Sequence, residues 1–180
     1  FHHIREEREW MDQHGNPGND PLTGLLQRDT TLKAMETFLL GSGATGTHAL
    51  FMIDLDNFKQ INDTLGHRSA DNVLAELADA IRRCFHESDI TGRIGGDEFL
   101  VLMKDAPSAG ELSEKARQLL SEMQSVYAIN TAKAEVSVSV GVTVYDGSRA
   151  QPRTLNRLYA DADAALYKAK SIGKNAFVLA

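Results

Sequence analysis

The run Ala49-Leu50-Phe51-Met52-Ile53 contains no polar residue. A strand with one wet face alternates apolar and polar side chains, so an unbroken apolar run reads as a strand buried on both faces. Such a strand must lie inside a sheet that is covered above and below. At 180 residues, 42% hydrophobic and 24% charged, the chain is long and apolar enough to build one domain of that kind. The run leads directly into Asp54-Leu55-Asp56. Acids at the end of a buried strand stand where α/β proteins place ligands.

A second pair of acids lies in Arg93-Ile94-Gly95-Gly96-Asp97-Glu98-Phe99, followed by Leu100–Met103. Phe99–Met103 is another short apolar run and reads as a buried strand. Gly95-Gly96 before it predicts a tight type I′ hairpin, whose two central residues need positive φ, with residues 89–93 as the first strand. Asp97 and Glu98 then sit on the rim of the sheet. Adjacent carboxylates there suit Mg²⁺, which takes oxygen ligands from one or two acids plus substrate phosphates. On this tetrapeptide alone, a solvated acidic hairpin tip is an equally open reading. If the strands bearing Asp54 and Asp97/Glu98 are neighbours, three carboxylates converge and repel one another unless cations hold them.

The remaining periodicities fill out the domain. Arg28–Leu40 reads as a helix with Leu32, Met35, Phe38 and Leu39 on one face, and residues 57–64 as a short helix with Phe58 and Ile61 inward. A stronger helix is expected over residues 71–85, with Asp71 as its N-cap. Ser108 and Glu111 form a capping box that opens a helix to about Met123. Val136–Val144 alternates large apolar with small residues, a period-2 strand in which Gly141 reads as a close-packing position. Residues 154–171 read as a helix ended by Gly173, and residues 176–179 as a last strand. Strands and helices intermingle while the glycine hairpin is antiparallel, so a mixed sheet flanked by helices is expected. Asp56 and Asp63 read as helix-start or solvent residues, His67 as a packing or hydrogen-bonding residue, and Arg93 as a partner of the acids or a shield for the hairpin.

Residues 1–13 are charged, with Phe1, Ile4 and Met11 at coiled-coil spacing that Arg8 interrupts. They read as the end of a stalk or as a solvated helix, set off by the break at residues 14–19. The expected division is a linker over 1–18 and a domain over 19–180. A chain opening on Phe1 reads as a fragment with segments missing upstream. The net charge of −6 argues against a broad nucleic-acid or anionic-membrane surface. A single cysteine, Cys84, excludes an intrachain disulfide and a thiolate zinc cluster. No apolar run reaches the ~18 residues of a membrane span.

Asn62 and Asp71 fall between the two acidic strand ends, and Lys170 and Lys174 close the last helix. Lysines there answer the helix dipole. Around one pocket with acids, they also suit a metal–nucleotide triphosphate. Four segments together resemble the GGDEF family of diguanylate cyclases, over about residues 20–179. They are Asp20–Arg28, with Gln27 where Asn is usual; Asp54–Asp63 continuing to Asp71, with Ala70 where Gly is usual; Gly95–Phe99 behind Arg93; and Ala160–Asn175.

The resemblance implies a central, mostly antiparallel sheet of about five strands flanked by helices, similar to nucleotidyl cyclase and polymerase palm domains. It implies that Asp54, Asp97 and Glu98 form the catalytic and metal cluster with the Leu55 carbonyl, binding Mg²⁺ or Mn²⁺. Asn62 and Asp71 would read guanine, a base rich in donors where a carboxylate accepts. Amides around Phe58 and Lys59 would cradle phosphates, Lys170 and Lys174 would hold the terminal ones, and Arg93 would assist. The implied reaction joins two GTP into cyclic di-GMP and two pyrophosphates, with two copies of the domain face to face. The implied setting is the bacterial cytoplasm, downstream of a sensory domain and possible membrane anchor. Many members carry an inhibitory Arg-x-x-Asp site; here His86 stands in the arginine position ahead of Asp89, so that site is expected to be degenerate. The alternative is a non-catalytic module that senses GTP or cyclic di-GMP.

Overall fold

The computed structural model describes residues 18–106, 108–130 and 136–180. The expected stalk, Gly18 excepted, lies outside the described residues. The elements in order are α1 (Arg28–Leu40), β1 (Thr47–Leu55), α2 (Phe58–Leu65), α3 (His67–Cys84), β2 (Ile90–Arg93), β3 (Glu98–Met103), α4 (Ala109–Asn130), β4 (Val138–Asp146), α5 (Leu155–Ser171) and β5 (Phe177–Leu179).

The five strands form one sheet in the order β2-β3-β1-β4-β5. β1 is central and pairs antiparallel with both β3 and β4, while β5 joins β4 in parallel. The apolar run has the covering it requires. Ala49, Phe51, Ile53 and Leu55 enter one core with α3 and α4; Leu50 and Met52 enter the other with α1 and α5. β3 divides the same way, with Phe99 and Val101 on one face and Leu100 and Leu102 on the other. Each face buries apolar surface at roughly 25 cal/mol per Å². Strands covered on both faces therefore carry the acidic strand ends.

Gly141 is a close-packing position, as its spacing indicates. A Cβ there would stand 2.2 Å from the Ala162 carbonyl oxygen and 2.4 Å from the Leu166 nitrogen. α5 thus lies directly on β4, and the parallel addition of β5 follows α5 back along the same sheet.

Four expectations about these elements need correction. Asp71 does not cap α3. Gly66, at φ 88°, ends α2 and begins α3, so the helix starts at His67 and Asp71 lies exposed within it. His67 is likewise exposed rather than packed. The glycine hairpin is wider than a two-residue turn, and neither Gly95 nor Gly96 has positive φ. Arg93 pairs with Phe99, and beyond that pair both Ile94 and Gly95 donate their amides to the Glu98 carbonyl. α4 also runs past Met123 to Asn130, no glycine or proline intervening.

Candidate active site

β1 and β3 run antiparallel, so the C-terminal end of one meets the N-terminal end of the other. Asp54 lies opposite Glu98 in the ladder, and the Leu55 amide donates to the Asp97 carbonyl at 3.1 Å. Pairing alone brings the acids together. Carboxylate oxygens of Asp54, Asp97 and Glu98 all lie within 4.8 Å of one another. Asp54 is 6% exposed, and its Oδ1 is buried without a hydrogen-bond partner. Its Oδ2 accepts from the Lys170 ammonium at the end of α5. Burial pushes the Asp54 carboxyl from 3.8 up to about 7; neighbouring Asp97 adds to the rise and Lys170 opposes it. A buried oxygen with no partner beside two further carboxylates fits a divalent cation, which would supply the missing charge and ligation. Asp54, Asp97 and Glu98 are the side chains that would hold it.

Beside the acids, the chain turns through Asn57, at φ 55°, into α2. No side chain caps this helix, so the N-terminus that carries Phe58 and Lys59 keeps the amides and dipole suited to an anion. The Asn57 carboxamide oxygen instead accepts from Lys174 Nζ at 2.6 Å. The two lysines that close α5 thus reach the two features a metal–phosphate group needs: Lys170 the acids, Lys174 the helix start. Asn62 and Asp71 stand on the adjoining helices α2 and α3. Asn62 Oδ1 is a buried acceptor with no partner, and Asp71 is exposed with its carboxylate unbonded among the described residues.

Arg93 is engaged with protein. Its guanidinium donates to the Gly95 and Gly96 carbonyls and to Asp20, the salt bridge measuring 3.3 Å. Burial pulls the Asp20 carboxyl upward, but the Thr23 hydroxyl and amide together with Arg93 hold it below 3.8. Arg93 therefore shields the hairpin and ties it to the entry turn. His86 and Asp89 lie apart from the acids, on the rim of a pocket of about 410 Å³ that Asn19, Arg82 and Thr91 also line.

Sequence reasoning missed Asp56. It is fully buried and accepts from Ser137 Oγ, Ser139 Oγ and the Asn175 amide at 2.7, 2.6 and 2.9 Å. The available signal was the pair of serines at alternate positions of the expected strand, hydroxyls that need a buried acceptor.

Fold and site define a palm-like α/β domain whose acids converge at neighbouring strand ends. The family model "Diguanylate cyclase, GGDEF domain" matches residues 18–176. A bifunctional diguanylate cyclase/cyclic di-GMP phosphodiesterase of Pseudomonas aeruginosa, MucR, is 35% identical over 129 residues, 72% of this chain and 18% of its own. The diguanylate cyclase DosC of Shigella sonnei is 34% identical over 175 residues, 96% of this chain and 37% of its own. Among solved structures, the GGDEF domain of DgcB from Caulobacter crescentus, crystallised with c-di-GMP, superposes with a TM-score of 0.81 at 25% identity, covering 91% of this chain and 93% of that one. This chain belongs to the GGDEF family of diguanylate cyclases, and it spans well under two thirds of the curated relatives' length.

Proposed function

We propose that this chain condenses two molecules of GTP into cyclic di-GMP, with two pyrophosphates released, acting as a pair of protomers. The observation that carries the reading is the convergence of Asp54, whose Oδ1 is buried without a partner, with Asp97 and Glu98, beside an uncapped helix start and two lysines. A bound Mg²⁺ or Mn²⁺ would neutralise phosphate charge and polarise the reacting oxygens. The protein's part is positioning and charge. The first amides of α2 receive phosphate oxygens. Lys174, already at that helix start, and Lys170, exchanging Asp54 for phosphate, hold the terminal groups. Asn62 Oδ1 and the Asp71 carboxylate accept from guanine N1–H and N2–H₂. Each 3′-hydroxyl oxygen forms a bond to the other nucleotide's α-phosphorus as the bond to pyrophosphate breaks, and the hydroxyl proton passes to solvent.

Among the described residues no helix is long and apolar enough to cross a membrane. The proposed setting is the bacterial cytoplasm, with this domain as the output of a longer signalling protein.

The test is turnover of GTP with Mg²⁺, followed as cyclic di-GMP formed. Asp97→Ala and Glu98→Ala should each abolish product while the chain stays folded. Wild-type turnover in either variant refutes the assignment. Nucleotide binding by the wild type without turnover identifies a sensing module instead.

A further inference from the structure

Asp56 has no part in the reading above, yet it connects three segments of the site. Two of its hydrogen bonds come from serines before and within β4; the third comes from the Asn175 amide, in the loop that follows α5. That loop has an unfavourable shape. Lys174 and Asn175 are consecutive non-glycine residues at φ 62° and 45°, the left-handed region that Cβ sterics disfavour. Asn57, bonded covalently to Asp56, is left-handed too and accepts from Lys174 Nζ at 2.6 Å. The contacts close a ring: Asp56 holds Asn175, Asn175 fixes Lys174, and Lys174 reaches back to Asn57.

We propose that Asp56 is a positioning residue, holding the strained Lys174–Asn175 turn against the start of α2 so that the Lys174 ammonium meets the terminal phosphates. The proposal rests on the GTP reading and deepens it. Asp56 touches no substrate; it acts through Lys174. A carboxylate serves because it accepts several bonds in a plane and donates none. Oδ2 receives both the Ser137 hydroxyl and the Asn175 amide, while Oδ1 receives the Ser139 hydroxyl.

The experiment compares binding of GTP and GMP to the whole chain. They share a guanine, but only GTP has the phosphates that Lys174 would meet. In Asp56→Ala, GTP affinity should fall about tenfold, the effect of losing one charge-assisted hydrogen bond, with GMP affinity unchanged. Lys174→Met should do the same, and the double variant should be no weaker than Lys174→Met alone. Asp56→Asn should recover much of the loss. Its amide oxygen can occupy the Oδ2 position, and its NH₂ can face the Ser139 hydroxyl, which is able to accept.

Should Asp56→Ala fail to fold, Asp56→Leu combined with Ser137→Ala and Ser139→Ala carries the comparison. It replaces the buried polar group by apolar atoms of similar volume and still releases Asn175. It too should lose GTP affinity alone. Equal loss of GTP and GMP, additive effects of Asp56→Ala and Lys174→Met, or wild-type GTP affinity in Asp56→Ala or in the triple variant would each overturn the proposal. Wild-type protein that binds neither nucleotide would overturn the GTP reading with it.

Discussion

Asp54 is held by Lys170, and a proton and a divalent cation would compete for its carboxylate. Its carboxyl is raised by burial to about 7 from 3.8, so the folded chain holds a proton that the unfolded chain releases. The stability owed to that proton is greatest at low pH and is lost as pH rises from about 4 to about 7. A divalent cation needs the charged carboxylate and competes with the proton. Added Mg²⁺ should therefore raise Tm more at about pH 8 than at about pH 6, and Asp54→Asn should remove the difference. Thermal melts with and without Mg²⁺ at both values check this; an equal or larger gain at the lower pH contradicts it. His86 supports a second residue-scale expectation. Its ring bonds Ser88 Oγ at 2.8 Å, and its amide occupies Asp89 Oδ2, while the Lys104 amide occupies Asp89 Oδ1. Both Asp89 oxygens are thus engaged, and no guanidinium stands at position 86 to grip a phosphate. Added cyclic di-GMP should leave the initial rate of the wild type nearly unchanged and inhibit His86→Arg. Tight inhibition of the wild type, indifferent to that substitution, would assign product control to another surface. Asp97, Glu98 and Asp54 were legible in the sequence because each lies at the edge of an apolar run. Asp56 was not: its partners are 81, 83 and 119 positions away, and no local pattern joins them.

At the scale of elements, the site depends on how α5 is seated, because that helix delivers Lys170 and leads into Lys174. Its seat is Gly141 on β4, where backbone meets backbone. A methyl group there would meet the Ala162 carbonyl oxygen and the Leu166 nitrogen, neither of which can rotate away. Gly141→Ala should destabilise the fold by about 3 kcal/mol, the upper part of the overpacking range. It should also lower GTP turnover per folded molecule by moving Lys170 off the acids and Lys174 off the start of α2. Urea unfolding with turnover measured in parallel checks both, and a fully stable, fully active variant would show that the helix can shift freely. The alternation of large and small residues in β4 made this seat readable, as the unbroken apolar run made β1 readable as a central strand. Cap chemistry was read less well. Asp71 is a good N-cap residue, but Gly66 at φ 88° had already separated the helices. Gly95-Gly96 resembles a tight-turn dipeptide, but the Arg93 guanidinium gathers its carbonyls into a wider loop. In both cases a contact or conformation outside the local pattern prevailed.

Across the whole molecule, the number of acidic clusters sets a limit on the chemistry. The described residues contain one group of three acids able to hold a metal, formed where two strands of a single sheet meet. Asn62 and Asp71, on the adjoining helices α2 and α3, are the proposed readers of one guanine edge. Cyclic di-GMP contains two nucleotides joined by two equivalent phosphodiester bonds, so under the proposed reaction a single copy would hold half of the reactants. Under the proposed reaction, two copies related by a twofold axis would supply both and present each 3′-hydroxyl to the opposite α-phosphorus. Turnover per molecule should accordingly rise with protein concentration in the dilute range and level off once pairing is complete. Titrating Asp97→Ala into wild type at fixed wild-type concentration sharpens the test. In a mixed pair, one nucleotide lacks its full set of acids, so excess variant should suppress wild-type turnover by drawing it into unproductive pairs. Initial rates over a dilution series, with mass measured by light scattering at each point, give the comparison. Turnover per molecule that stays constant in a sample shown to be monomeric, together with indifference to the added variant, would mean that one copy completes the reaction alone.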